Sequence, residues 1–367
     1  MRLLERSLAS PPSPPSSVLG SAAWDGLASR DARVQAAQNV VTRKLFNELT
    51  WLPSATDDGV VLVVGDSYCD HIDMGFACWP ELVARDALGC SMLNVARGGS
   101  EARHARAQLE RAHAFLAARQ PAPPIRLLVV HTGGNDVVHS LPFAFPLLVV
   151  DLVRLALIRA GVLARLERPP SSFSFVGLTS RRIARDTRAL LEDARARGHR
   201  RILLSTMPIS AAIPLARALV RIFALLCGAA FISATLADFE RLLKAEVAAE
   251  VAAFTAAHAD AVELVHFDEA HHLNALAAAA GADTLGLLAV PSLVLQRWRY
   301  HARPRREALL ELGAVASDAP TAGAASGSAA AAEDDATGAR FWHDAHHPAH
   351  GAHRKLAALA AAALGVR

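Results

Sequence analysis

Residues 60–70 read VVLVVGDSYCD, and this stretch decides the fold. Five apolar residues run directly into Gly65, Asp66 and Ser67. A short run rich in β-branched residues and without polar alternation predicts a parallel strand that is buried on both faces of a sheet. Ser67 therefore follows the carboxyl end of a strand, either as the N-cap of a helix or as a nucleophile presented at the edge of the sheet.

The rest of the chain alternates similar apolar runs with amphipathic segments of helical spacing. Strands that alternate with helices predict an α/β protein with a doubly wound, mostly parallel, five-stranded sheet flanked by helices. The five predicted strands lie in the segments VVLVVGDS (60–67), CSMLNV (90–95), IRLLVVHT (125–132), HRRILLST (199–206) and AVELVHFD (261–268).

Two segments beside these strands carry weaker patterns. Residues from about 23 to 55 show mixed helical patterning. The polar cluster DEAHH, residues 268–272, is interpreted as a solvated loop.

The sequence divides into a tail and one domain. Residues 1–22 form a Pro- and Ser-rich tail that we predict to be disordered, and residues 23–367 form a single domain. Helical insertions at about 140–175 and 211–335 interrupt the strand–helix alternation, and the second contains a low-complexity linker at 317–338.

Bulk composition argues against several classes of protein. Hydrophobic residues make up 52% of the 367 residues and the formal net charge is +3, which suits a large core and gives no basic block for nucleic acid. The N-terminus lacks the continuous apolar run of a secretory signal, which favours a cytoplasmic or organellar location. No C-x-x-C pair occurs, and spacing leaves open the disulfide status of Cys69, Cys78, Cys90 and Cys227.

One very apolar stretch, residues 211–237, raises the question of membrane contact. Arg217 and Arg221 lie inside it, and a charge at the centre of a membrane-spanning helix costs about 2.5–3.5 kcal/mol. We interpret the stretch as a buried or lid helix, and a peripheral membrane contact through it stays open.

Two glycine-containing turns follow the second and third predicted strands. In NVARGGSEA, residues 94–102, Gly99 lets the backbone turn sharply and approach a ligand closely. In HTGGNDVV, residues 131–138, Asn135 presents an amide that can donate to an anion, although Asn-Asp is also a common turn pair. Together with Ser67, these residues follow strand ends, which is the edge where open α/β sheets bind ligands.

A histidine-rich segment, FWHDAHHPAHGAH, spans residues 341–353. Asp344 lies three residues before His347, and Pro348 suits the first turn of the closing helix. His347 would then point towards the sheet edge, where Asp344 could orient its imidazole. The clustered histidines also suit a metal site, but the segment lacks H-E-x-x-H and has few carboxylates, so we predict no metal.

These residues are the types needed for a catalytic triad and an oxyanion hole in acyl transfer. Ser67 would attack a carbonyl carbon, His347 would carry the proton, and Asp344 would orient His347. The N–H groups of Ser67 and Gly99, with the amide of Asn135, would form an oxyanion hole. This chemistry requires no cofactor.

The order of these motifs resembles that of the GDSL, or SGNH, hydrolases. The segments GDS with Ser67, NVARGGS with Gly99, GGND with Asn135 and DAHHP with His347 follow the family's order. The ending with FW, then Asp344, then HP is similar to the esterase and lipase branch of that family.

The resemblance covers about residues 58–140, 199–208 and 338–365, and it departs from the family pattern locally. His343 adds a residue between FW and the Asp, which keeps His346 open as an alternative to His347 for the base. The spacing from Asn94 favours Gly99 over Gly98 as the oxyanion donor, and Gly98 stays the alternative.

The resemblance implies a flavodoxin-like SGNH hydrolase fold and a serine ester hydrolase of lipase or esterase type. Its partner would be a small-molecule, lipid or sugar ester, with no nucleic acid. A carbohydrate O-acetyl esterase or an acyltransferase of the same fold is an alternative, and a non-catalytic membrane-associated binding protein is the alternative from another class.

Overall fold

The computed structural model describes residues 49–54, 59–70, 77–168, 174–206, 228–279 and 350–366, with the backbone alone at 141–145, 206, 229 and 350. The predicted tail at 1–22, the linker at 317–338 and the predicted catalytic pair Asp344 and His347 lie outside the described residues.

A six-stranded sheet forms the centre of the molecule, with spatial order β1-β3-β2-β4-β5-β6. Strand β1 pairs antiparallel with β3, and every other neighbouring pair is parallel. The strands are β1 (Thr50–Leu52), β2 (Val60–Val64), β3 (Ser91–Asn94), β4 (Ile125–Thr132), β5 (Arg201–Thr206) and β6 (Glu263–Phe267).

The prediction of an α/β protein with a mostly parallel sheet is confirmed, and so are all five predicted strands. Strand β1 is a sixth, and for its residues the helical prediction was wrong. Its Trp51 packs against Phe115, with ring centroids 6.2 Å apart, and under the Arg119 guanidinium at 4.1 Å. These contacts come from a distant part of the chain, so the local pattern did not reveal the strand.

Helices cover both faces of the sheet. The first described helix continues into a π-helical turn (Val83–Ala87), and a 3₁₀ turn (Ala102–His104) precedes the second. The helices are α1 (Trp79–Leu82), α2 (Ala105–Ala117), α3 (Gly134–Arg159), α4 (Phe175–Ala196), α5 (Ala229–His258), α6 (Glu269–Ala279) and α7 (His350–Ala363).

Strand β2 shows why its apolar run reads as a doubly buried strand. Val60, Leu62 and Val64 pack in one layer with buried residues of α2, α3, α4 and α5. Val61 and Val63 point the other way and pack with α1, α6 and α7. Successive side chains of a strand alternate between faces, so each layer takes every second residue.

The two predicted insertions contain elements of the main fold. Residues 140–175 include most of α3, which begins directly after β4 at Gly134. The described part of 211–335 contains α5, β6 and α6, and β6 pairs in parallel with β5. Among the helices described, none combines the length and apolar character needed to cross a membrane.

The segment DEAHH is helical rather than a solvated loop, so that prediction was wrong. Helix α6 begins at Glu269, whose side chain is fully buried. The carboxylate faces a histidine of β4, as described below.

Helix α7 is hydrogen-bonded to α1 and to β5. The backbone N–H of Trp79 donates to Nδ1 of His353 over 3.1 Å, and the side chain of Arg201 donates to the carbonyl oxygen of Leu364. His353 is fully buried in this contact between α7 and α1. Cys69, Cys78 and Cys90 are buried and form no disulfide among the described residues, and Cys227 lies outside those residues.

Candidate functional site

The structure places three predicted site residues at the carboxyl edge of three neighbouring strands. Ser67 follows β2, Gly99 follows β3 and Asn135 lies in the first turn of α3 after β4. Because β3, β2 and β4 are adjacent and parallel, their following loops lie at one edge of the sheet. Asp344 and His347 lie outside the described residues, so their distances to Ser67 stay a prediction.

Ser67 lies in a hydrogen-bonded turn that spans residues 66–70. The N–H of Cys69 donates to the carbonyl of Asp66 over 3.1 Å, and the N–H of Asp70 donates to that of Ser67 over 3.3 Å. Helix α1 begins only at Trp79 with Cys78 as its N-cap, so Ser67 caps no helix within the described residues.

The Ser67 turn is tied to the loop after β3 by two side chains. Asn94 donates from Nδ2 to the carbonyl of Cys69 over 2.7 Å, and its Oδ1 accepts from Ala96 over 2.9 Å. Asp70 accepts the backbone N–H of Gly98 at Oδ2 over 3.0 Å. The glycine loop after β3 is therefore fixed against the Ser67 turn.

The same glycine loop is also fixed to α3. Asn135 donates from Nδ2 to the carbonyl of Ser100 over 3.0 Å, which uses one of its two amide hydrogens. One turn later, His139 contacts Glu101, with Nδ1 and Oε1 3.0 Å apart. Burial opposes the charge of Glu101, but the contacts with His139 and Arg103 outweigh it and lower the pKa of this carboxyl.

Gln108 is a site residue that the sequence did not reveal. Its Oε1 accepts the N–H of Gly65 over 2.7 Å, and its Nε2 donates to the carbonyl of Gly65 over 2.9 Å. The same Nε2 lies 3.0 Å from Oγ of Ser100. This amide on α2 therefore joins the residue before Asp66 to the loop that contains Gly99.

His131 is a second residue that sequence reasoning missed. It is fully buried on β4, with Nδ1 2.9 Å from Oδ1 of Asp66 and Nε2 3.1 Å from Oε2 of Glu269. Both contacts are within ion-pair distance. Burial lowers the pKa of His131, but the two carboxylates outweigh burial and raise it to about 10.

The backbone beside His131 also meets the Ser67 turn. A Cβ built on Gly65 would lie 2.5 Å from the carbonyl oxygen of His131, which is closer than real Cβ atoms come to backbone oxygen. Glycine at this position therefore permits the close approach of β2 and β4 below the turn.

Asp136 is a buried carboxyl next to Asn135. Its Oδ2 accepts the N–H of Ala102 over 2.8 Å, and its Oδ1 lies 3.4 Å from the guanidinium of Arg182. Burial raises the pKa of Asp136 to about 6, although the bond from Ala102 and the charge of Arg182 act against this rise. Asp136 thus holds the 3₁₀ turn after the glycine loop.

Cys69 is a thiol close to Ser67 in the chain, and its burial decides its role. The side chain is almost fully buried, and burial, with the nearby carboxylates of Glu269 and Asp66, raises the thiol pKa well above its usual range. A protonated buried thiol is a poor nucleophile, so Cys69 is a packed residue and not a rival to Ser67.

A cavity of about 550 Å³ lies along α5. Its lining includes Arg241, Lys244 and Asp268, and Lys244 is paired with Asp268 at 3.0 Å. Within the described residues, no group of three His, Cys, Asp or Glu side chains is arranged to hold a metal ion.

No protein-family model matches this sequence, and no curated protein matches it. The resemblance to the GDSL hydrolases therefore depends on the motif residues alone.

Proposed function

We propose that this protein is a serine ester hydrolase that cleaves carboxylic esters through an acyl-enzyme on Ser67. The observation that carries the proposal is the grouping of Ser67, Gly99 and Asn135 at one sheet edge, with their loops joined by hydrogen bonds. Each of these residues has a separate task in acyl transfer, and their order along the chain is that of the GDSL motifs.

The sheet topology supports a flavodoxin-like SGNH hydrolase fold. Counted among the parallel strands alone, the spatial order β3-β2-β4-β5-β6 becomes 2-1-3-4-5, which is the flavodoxin-like order. In that order the crevice opens between the strands here named β2 and β4. Ser67 and Asn135 follow those two strands, on either side of the crevice.

The loop after β3 supports Gly99 rather than Gly98 as the donor of an oxyanion hole. The N–H of Gly98 is already bound by Asp70. Gly99 has φ of +80°, and a Cβ added there would meet no atom of the described residues within 4 Å. An open approach to the Gly99 backbone is what a substrate oxygen requires.

In the proposed reaction, Oγ of Ser67 attacks the ester carbonyl carbon while His347 takes its proton. The resulting oxyanion accepts hydrogen bonds from the Ser67 and Gly99 N–H groups and from the Asn135 amide. Collapse breaks the ester C–O bond, and His347 returns the proton to the departing alcohol. Water then attacks the acyl-enzyme, again through His347 with Asp344 as its orienting partner, and releases the acid.

The test is covalent labelling by a fluorophosphonate probe, with the modified residue mapped by mass spectrometry. We expect label on Ser67 and hydrolysis of a short-chain aryl ester, because both reactions need an activated serine. Ser67→Ala should lose both, whereas Ser54→Ala, a serine bound to the Gly89 carbonyl, should keep both. Ester turnover that persists in folded Ser67→Ala would contradict the proposal.

The substrate class is decided by acyl chain length. The lipase-type proposal predicts faster cleavage as the acyl chain lengthens. A maximum at acetyl would favour a carbohydrate O-acetyl esterase, and transfer of the acyl group to an added alcohol in preference to water would favour an acyltransferase.

A further inference from the structure

Both chain neighbours of Ser67 contact the same buried histidine. Asp66, directly before Ser67, faces Nδ1 of His131 at 2.9 Å. Tyr68, directly after it, stacks on the His131 ring with centroids 5.2 Å apart and planes 12° apart. Asp66 and Tyr68 are also joined to each other, since Oδ1 of Asp66 accepts the N–H of Tyr68 over 3.1 Å. Ser67 therefore projects from a turn whose two flanking side chains rest on one imidazole.

The contacts on both ring nitrogens favour a positively charged His131. A neutral imidazole has one lone pair, which would face either Asp66 or Glu269, and a lone pair facing a carboxylate is repelled. An imidazolium presents N–H to both carboxylates. Glu269 is in turn bound by Ser205, whose Oγ donates to Oε2 over 2.7 Å. Asp66, His131, Glu269 and Ser205 are all buried.

We propose that His131, as a buried imidazolium between Asp66 and Glu269, is a positioning residue that sets the conformation of the Ser67 turn. The proposal rests on the proposed function, in which Ser67 is the nucleophile. It adds two residues to the proposed site, since His131 and Glu269 are not among the motif residues to which the resemblance gives a role.

Removal of the positive charge would disturb the turn in a specific way. Asp66 and Glu269 would be left buried without their shared cation, and an uncompensated buried charge is strongly unfavourable. Asp66 can escape only by protonation or by rotation away, and rotation gives up its bond to the Tyr68 N–H. Protonation weakens Asp66 as an acceptor of that N–H, and rotation alters the backbone that presents Ser67. The bond from Asn135 to the Ser100 carbonyl does not involve the turn.

The kinetic test compares His131→Gln and Asp66→Asn with a matched control. We expect His131→Gln to lower the fluorophosphonate labelling rate of Ser67 and the kcat for an aryl ester by about 100-fold, with little change in KM, because misplacement of a reacting atom by about 1 Å has an effect of this size. Asp66→Asn keeps the shape of the side chain but weakens the ion pair, so it should lower both by a smaller factor.

The control is His199→Gln. His199 is also a buried histidine, but it lies at the opposite edge of the sheet, before β5, and contacts His113 with Nε2 atoms 2.8 Å apart. In His199→Gln, Ser67 should be labelled at the wild-type rate. Wild-type labelling rates in folded His131→Gln, or in Asp66→Asn if the first variant does not fold, would overturn the proposal.

A second measurement does not depend on catalysis. In protein labelled with ¹⁵N-histidine, with the His131 signals identified by their loss in His131→Gln, we expect both ring nitrogens to carry protons at pH 8. A neutral His131 at that pH would overturn the proposal even if Ser67 is the nucleophile. Absence of label on wild-type Ser67, with a charged His131, would instead remove the proposed function and leave the buried imidazolium intact.

Discussion

A single amide on α2 connects two of the loops at the candidate site. Gln108 pairs with both backbone groups of Gly65 and reaches Ser100, so it acts as donor and acceptor at once. Carboxylate, of the same shape, could accept from the Gly65 N–H but could not donate to the Gly65 carbonyl.

Gln108→Glu should therefore destabilise the fold by about 1–3 kcal/mol, the usual effect of leaving a buried polar group unsatisfied. Urea unfolding monitored by circular dichroism measures this loss. The control is Glu110→Gln, an exposed change on the same helix, which should alter the free energy of unfolding by about 0.5 kcal/mol at most. Equal midpoints for the two variants would show that the Gln108 contacts contribute no stability.

The sequence predicted the candidate site residues that occur in recognisable motifs, but it missed the residues that hold those motifs in place. Ser67, Gly99 and Asn135 stand out because each follows a strand in a glycine-containing segment. Gln108 lies on an ordinary amphipathic helix, and Glu269 was assigned to a loop. A signal for His131 did exist, since a histidine inside a continuous apolar strand is buried and needs partners. Its partners, however, come from the far ends of β2 and β6, which only the folded sheet brings together.

Helix α4 begins at a cap shared with α3. Ser174 is the N-cap, and its Oγ accepts the N–H of Gly177 over 2.9 Å while donating to Oδ2 of Asp151 over 3.0 Å. The same carboxylate oxygen accepts the N–H of Val176 over 2.8 Å. The negative charge of Asp151 also lies at the helix N-terminus, where it is favourable.

Ser174→Ala should reduce the free energy of unfolding by about 1–2 kcal/mol, as expected for loss of a buried N-cap. A double-mutant cycle with Asp151→Asn measures the coupling between the two side chains. We expect a coupling of about 0.5 kcal/mol or more, because the residues are in direct contact. Additive effects would mean that the cap and the α3 contact act independently.

Four strands, β2 to β5, were predictable as elements because they are largely buried runs in the sheet. Strand β6 lies at the sheet edge with only Phe267 buried, and it was recognised from its short run ELVHF. Strand β1 has only three residues and pairs along one edge, so its sequence TWL carries no period that could be recognised. The start of α6 was missed for a related reason. Its first turn is polar, and the buried carboxylate of Glu269 is paired with His131 on strand β4.

For the whole molecule, the pH dependence of stability follows from groups with opposite shifts. The folded-state pKa of Asp136 is raised to about 6, so its contribution is largest in acid and is lost as pH rises through 6. Burial lowers the pKa of His199 to about 4, so its contribution is present above 6.5 and is lost as pH falls through 4. These two effects oppose each other between pH 4 and 6.5.

At mildly alkaline pH, His131 sets how the free energy of unfolding depends on pH. Its folded-state pKa of about 10 lies above an unfolded value of about 6.5, so its stabilisation is complete below pH 6.5 and is lost as pH rises towards 10. Between pH 7 and 8.5 we expect the free energy of unfolding to fall by up to about 1.4 kcal/mol per pH unit. Urea titrations at several pH values test this, and His131→Gln should remove the slope. A wild-type slope that equals that of His131→Gln would contradict the prediction.

Helix α7 has a consequence for the order in which the protein folds. Trp79 and His353 are 274 residues apart in sequence, whereas the buried residues of the α2–α5 layer all lie between Leu49 and Val262. Contacts over long sequence separations form slowly because a large loop must close first. We therefore expect the sheet to acquire its α2–α5 layer early, while Val61 and Val63 wait for α7. A folding intermediate with that apolar face uncovered is the species on which a chaperone would act.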